Sequence, residues 1–173
     1  MTPAEQSARA ADLCRMAPVI PVLVIDEVAH ARPLAEALVA GGLPVLEVTL
    51  RTPAALDAIR AMAQVPGGRV GAGTLLSPDD VAAAKAAGAT FGVSPGATDA
   101  LLAASAAHGL PLLAGAVTAT EVMALLAKGY TVQKFFPAEA AGGAASLRAI
   151  GAPLPQVAFC PTGGIGLGNA GDY

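Results

Sequence analysis

Apolar and polar positions along this chain fall into two alternating textures. Short runs dominated by Val, Ile, Leu and Phe occupy 18–25, 44–50, 69–75, 91–94, 111–117, 131–136 and 157–160. None shows the strict alternation of a half-exposed strand, so each reads as a parallel strand covered on both faces. Alanine-rich amphipathic segments of helical period lie between them, and a further helix over 3–16 precedes the first run. Ser77-Pro78-Asp79-Asp80 offers an N-cap serine, a proline at the first helical position and an acid three residues on. Thr118 with Glu121 repeats the capping-box spacing, and Thr52-Pro53 predicts another helix start. Glycines at 41–42, 88, 109 and 129 read as left-handed helix terminators, each followed closely by a strand. Gly88 and Gly109 are 21 residues apart and Gly109 and Gly129 are 20 apart, the rhythm of a repeated βα unit.

Seven strands joined by helical crossovers predict an α/β fold, a TIM-type (β/α)8 barrel with an N-terminal helix. The count stops before an eighth strand and last helix, which would need roughly 30–40 more residues at the chain's own rhythm. The expectation is therefore one barrel domain spanning 1–173, C-terminally incomplete, with unpaired edges on its first and seventh strands.

Composition adjusts this picture in three places. Hydrophobic residues make up 54% of the chain and mean hydropathy is +0.60, and the stretch 100–120 contains no Asp, Glu, Lys or Arg. Ser105, His108, Gly109, Pro111, Gly115 and Thr118 interrupt that stretch, which reads as helix, turn and buried strand rather than a membrane span. Glu5, Arg9, Asp12 and Arg15 break any signal-peptide core, so a cytoplasmic protein is expected. A net charge of −3 without a basic stretch argues against nucleic acid as a partner. Cys14 and Cys160 are distant in sequence and outside any Cys/His cluster, which predicts buried free thiols and neither a disulfide nor a metal site. Gly166-Leu-Gly168-Asn-Ala-Gly171 matches GxGxxG but lacks the preceding strand, following helix and distal acid that a dinucleotide site needs.

In such barrels the chemistry sits where strands end and loops begin. Three lysines are present, and two sort themselves out. Lys85 and Lys128 occupy the last turns of helices, where a cation meets the negative end of the dipole. Lys134 lies in a strand expected to be buried, where an ammonium is disfavoured unless paired or neutralised. A desolvated lysine of lowered pKa is what imine formation with a ketone requires. From placement alone, a buried ion-pair partner or an edge lysine reaching solvent stays open beside catalysis.

Glu47, Thr49 and Arg51 share parity, which points them to the barrel interior, with Glu47 and Arg51 about 13 Å apart along the strand. The arginine fork suits a carboxylate and a partly dry glutamate can shuttle protons, while an internal salt bridge between the two is the plain alternative. Gly73-Thr74 ends the third strand with a close backbone approach and one hydroxyl. Thr162-Gly163-Gly164 follows the seventh strand, where barrels often hold phosphate on backbone N–H groups.

ValLeuGluValThrLeuArgThr at 45–52, GlyAlaGlyThr at 71–74, SerProGly at 94–96, LysPhePheProAlaGlu at 134–139 and CysProThrGlyGly at 160–164 run the length of the chain in this order. Together they closely resemble the bacterial aldolases that act on 2-keto-3-deoxy-6-phosphogluconate (KDPG) and 2-keto-4-hydroxyglutarate (KHG). ProAlaGlu and CysProThrGlyGly favour the gluconate branch over the related galactonate enzymes. The resemblance implies a class I aldolase in which Lys134 forms an iminium with C2 of the substrate, without metal or cofactor. It implies that Glu47, through a water, takes the C4 hydroxyl proton and later helps to protonate the enamine at C3. Arg51 and Thr74 match the positions that hold the pyruvate carboxylate, and Pro95 and Phe136 those that line the wall beside the imine. Thr162, Gly163 and Gly164 match the phosphate loop. The resemblance also implies a homotrimer, and a serine after the family's eighth strand that this chain lacks. The alternatives are an inactive barrel fragment and a phosphosugar isomerase, epimerase or phosphate-binding barrel.

Overall fold

The computed structural model describes Met1–Tyr173, and every apolar run of the sequence forms a strand in it. The order is α1 (Pro3–Met16), β1 (Val22–Leu23), α2 (Val28–Ala40), β2 (Val45–Thr49), α3 (Ala55–Met62), β3 (Arg69–Gly73), α4 (Pro78–Ala86) and β4 (Phe91–Val93). There follow α5 (Asp99–Ala107), β5 (Leu112–Leu113), β6 (Gly115–Ala116), α6 (Ala119–Ala127), β7 (Val132–Phe135), α7 (Gly143–Gly151), β8 (Ala158–Pro161) and a 3-10 turn at Ala170–Asp172. The run 111–117 thus yields two strands. They are one barrel position that changes partner at Ala114: β5 bonds to β4 and β6 bonds to β7.

All pairs are parallel, in the orders β1-β2-β3-β4-β5 and β6-β7-β8. β1 pairs only with β2 and β8 only with β7, so the wall is an open barrel. No helix is long and apolar enough to cross a membrane; α5 ends at Ala107 and Gly109 turns the chain with φ +60°.

The capping predictions hold at two helices and shift at a third. Ser77 and Thr118 each accept a hydrogen bond from the N3 backbone N–H, and the Asp80 and Glu121 carboxylates accept one from the N–H of the cap residue. Thr52 does not cap α3: its hydroxyl donates to the Ile25 carbonyl, and the helix begins at Ala55 after a turn. The hydroxyl serves the neighbouring strand's end instead of the helix. Gly42, Gly88, Gly109 and Gly129 all take positive φ after their helices, as a left-handed stop requires.

Strand parity divides the core. Twenty-six buried residues fill the layer between strands and helices, among them Leu46, Val48, Ala72, Leu112 and Ala116. Only six, Ala10, Val45, Phe91, Val93, Leu113 and Val132, form the cluster inside the wall. Burial of the outer layer supplies most of the hydrophobic stabilisation, leaving the upper interior free for polar groups. α1 closes the lower mouth with polar side chains: Gln6 Oε1 accepts from the Leu112 N–H at 3.2 Å and Ser7 Oγ from the Thr131 N–H at 2.8 Å.

Candidate functional site

The two ionisable side chains of the strand interior meet. Lys134 faces inward from β7 and Glu47 faces inward from β2, and Lys134 Nζ lies 3.8 Å from Glu47 Oε1. Their side chains are 6% and 5% exposed, so water screens neither. The separation exceeds that of a well-formed charged hydrogen bond. Lys134 Nζ also lies 4.9 Å from the centre of the Phe136 ring, a cation–π contact.

Burial governs the protonation of both groups. It pushes the Lys134 ammonium below the ordinary lysine range, helped by Arg51, while Glu47 and Cys160 act the other way. It pushes the Glu47 carboxyl above its usual range against the opposing fields of Lys134 and Arg51. Both shifts favour the neutral forms, an amine beside a carboxylic acid. A neutral amine is a nucleophile, and a carboxyl of raised pKa can both take and give a proton.

Two glycines make this placement possible. A Cβ on Gly73 would overlap Glu47 Oε1, and one on Gly115 would overlap the Pro95 carbonyl oxygen. Gly73 admits the carboxylate and Gly115 lets the Ser94-Pro95 loop fold against the wall beside β7. Period-two glycine in a buried strand (Gly71, Gly73) is the legible sign of such close approach, although it does not say what approaches.

Arg51 lies beyond β2 and is exposed; its Nε donates to Thr74 Oγ1 at 3.3 Å. No Glu47–Arg51 salt bridge forms, since Glu47 faces Lys134. Thr74 holds its hydroxyl there with φ +63°, an unusual conformation for a β-branched residue, which costs about 1–3 kcal/mol. Thr49, inward as its parity predicts, is spent on the Leu23 carbonyl at 3.0 Å.

At the end of β8, Thr162 donates its N–H to Phe135 O, and its own carbonyl accepts from Ala138 N–H. Gly163 and Gly164 follow with φ of +106° and +78°, packed so closely that a Cβ on Gly164 would lie 2.7 Å from Glu139. The N–H groups of Gly163 and Gly164 have no acceptor within the protein. Phe136 and Pro95 are half-buried between these two ends. The nine predicted residues therefore gather on the side of the wall where strands end. Nothing in the immediate sequence marks a site role for Gly115 or for the buried Gln133, whose amide donates to Val122 O and Tyr130 O. The GxGxxG-like segment forms a turn and a single 3-10 turn, with β8 ending five residues before it begins.

The family model described as KDPG and KHG aldolase matches residues 10–173. A 2-dehydro-3-deoxy-phosphogluconate aldolase of Pseudoalteromonas atlantica is 52% identical over 94% of this chain and 76% of its own length. The crystal structure of the KDPG aldolase of Zymomonas mobilis superposes with a TM-score of 0.91 at 51% identity, covering 94% of this chain and 79% of that one. The Legionella pneumophila KDPG aldolase, solved with pyruvate captured at low pH as a covalent carbinolamine, covers all of this chain and 81% of its own at 46% identity and a TM-score of 0.89. Likeness of this extent, over a barrel wall that buries one lysine against one glutamate, makes this chain a member of the KDPG and KHG aldolase family.

Proposed function

We propose that this chain is a class I aldolase that cleaves KDPG to pyruvate and glyceraldehyde 3-phosphate, and KHG to pyruvate and glyoxylate. The observation that carries the reading is the buried Lys134 Nζ, lowered in pKa and held 3.8 Å from Glu47. Its amine attacks the C2 carbonyl to give a carbinolamine, which loses water to an iminium. Glu47, through a water, takes the C4 hydroxyl proton. The C3–C4 bond then breaks, with its electrons drawn into the iminium as an enamine, and the aldehyde departs. The same carboxyl returns a proton to C3, and hydrolysis frees pyruvate and Lys134. The iminium is the electron sink, so the mechanism calls for neither metal nor cofactor.

Arg51 and Thr74 are assigned to the pyruvate carboxylate, for which a guanidinium and a hydroxyl are suitable donors. Pro95 and Phe136 are assigned to the apolar wall around the imine, where dryness favours the neutral amine. Thr162, Gly163 and Gly164 are assigned to the phosphate, which the free N–H groups of the two glycines favour. The reading treats 1–173 as one aldolase domain acting on a small phosphorylated 2-keto acid in the cytoplasm. It further assigns a homotrimer, which sedimentation tests.

The functional assay follows pyruvate release from KDPG and from KHG side by side. Cleavage of both by the native chain and none by Lys134→Ala is expected. A Lys134→Ala variant that cleaves KDPG at the native rate would overturn the assignment. Binding of phosphosugars without any cleavage would favour the isomerase reading.

A further inference from the structure

Hydrogen bonding sorts the seven arginines of this chain into two groups. Arg15, Arg32 and Arg60 each pair with a carboxylate on their own helix, Arg51 donates to Thr74 Oγ1, and Arg148 donates to the Asp172 carbonyl. Arg9 and Arg69 are left. Neither guanidinium makes a hydrogen bond, and neither meets a carboxylate at ion-pair distance. They come from elements far apart in sequence, α1 and the start of β3, yet both line one cleft of about 410 Å³.

The cleft opens at the lower mouth, where strands begin: Arg69 is the first residue of β3, Thr90 directly precedes β4 and Pro111 comes just before β5. Val45 and Val132 of the interior cluster sit one inward position below Glu47 and Lys134, so an apolar layer divides this mouth from the imine pair. Asp12 is the one carboxylate in the lining, and its pairing with Arg15 at 3.2 Å leaves the charges of Arg9 and Arg69 uncompensated. Thr90 Oγ1 gives its proton to the Val70 carbonyl at 3.0 Å and keeps its oxygen as an acceptor. Leu13 and Met16 add apolar surface beside Pro111.

We propose that this cleft is a second binding site, for the phosphate monoester of a small organic molecule, with Arg9 and Arg69 sharing the phosphate. Such an ester carries about −1.5 to −2 charge and three terminal oxygens, enough to engage two guanidinium forks. A single carboxylate has one charge and two oxygens, which one fork takes up. The volume falls in the range of small-molecule pockets, roughly 300–1,000 Å³, and exceeds what an inorganic ion fills. Thr90 and Asp12 accept hydroxyls of the organic part, whose carbons lie on Leu13, Met16 and Pro111. Occupancy ties α1 to the barrel wall and stabilises the fold by mass action. The site does not depend on the imine assignment, because none of its residues belongs to the pocket around Lys134.

The test labels the full chain with phenylglyoxal, an arginine reagent, digests it and reads the extent of labelling at each arginine by mass. Glycerol 3-phosphate is the probe, since it has no carbonyl and cannot form an imine. At about 10 mM, above the usual micromolar-to-millimolar range of metabolite sites, it should slow labelling of Arg9 and Arg69 together severalfold and leave Arg32 and Arg60 unchanged. Sodium chloride at equal ionic strength should give no such protection, and succinate should give less. In Arg69→Gln the protection of Arg9 should disappear. Unchanged labelling at both residues, slowing that extends to Arg32 and Arg60, or equal protection by sodium chloride would overturn the site. Protection of Arg9 that persists in Arg69→Gln would overturn the sharing of the phosphate, and equal protection by succinate would overturn phosphate as the ligand. Protection confined to Arg51 would put the ester in the pocket around Lys134, overturning the second site while leaving the aldolase reading intact.

Discussion

Lys134 and Glu47 each carry a group whose charged form the surrounding protein resists, and the resistance acts in the same direction on both. The neutral amine is the form that attacks the ketone, while the carboxyl of Glu47 takes a proton from the C4 hydroxyl and later returns one to C3. Arg51 reinforces this resistance at Lys134 and opposes it at Glu47: its charge disfavours the ammonium on the first and favours the carboxylate on the second. Removing it therefore has a definite sign. In Arg51→Gln the Lys134 pKa rises, so the acid limb of the pH–rate profile moves to higher pH. Loss of a charged hydrogen-bond partner for the substrate carboxylate also weakens pyruvate binding by about 10–100-fold. A profile of pyruvate-dependent inactivation by borohydride against pH checks both, and a limb that stays fixed or moves to lower pH contradicts the electrostatic account. At this scale the sequence was informative where chemistry was unusual. One lysine in a buried strand stands out by elimination, whereas Gln133 in the same strand does not, because a buried amide whose NH2 donates to backbone carbonyls leaves no trace in spacing.

Single elements set the site's geometry through what their glycines omit. β3 leaves space for the Glu47 carboxylate at Gly73, and β6 leaves space for the Pro95 carbonyl at Gly115. The two consequences differ because a side chain can yield and a backbone cannot. Gly73→Ala should displace the Glu47 carboxylate and lower kcat by about 100-fold with little change in melting temperature, since a displacement of about 1 Å suffices. Gly115→Ala meets backbone and should cost about 1–3 kcal/mol of stability by overpacking. Parallel denaturant titrations and KDPG kinetics separate the two; equal stability loss in both would contradict the distinction. Element existence was legible from the apolar runs and the caps at Ser77 and Thr118. Thr52 was not, because the sequence does not show that the Ile25 carbonyl lies near enough to take its hydroxyl from α3.

For the whole molecule, the open wall is the dominant feature. β1 presents an unpaired edge, with its Val22 44% exposed and Val24 just beyond it 51% exposed, and β8 presents another. Such edges template pairing between copies, and charge on the edge suppresses it. Sedimentation of the chain 1–173 should show larger species that grow with concentration. Val24→Lys should reduce them; a single species independent of concentration in the native chain would contradict this. The seven-position barrel and its parallel order followed from strand count and loop rhythm. The change of partner at Ala114 did not, since it depends on how β4 and β7 diverge in space.

The central claim is that Lys134 forms a covalent imine, and one measurement addresses it directly. The chain is incubated with pyruvate, reduced with borohydride, digested and weighed. A reduced pyruvyl adduct on the peptide containing Lys134, absent from Lys134→Ala, is the predicted result. Folded native protein that carries no adduct, or carries it on Lys85 or Lys128, would contradict the account.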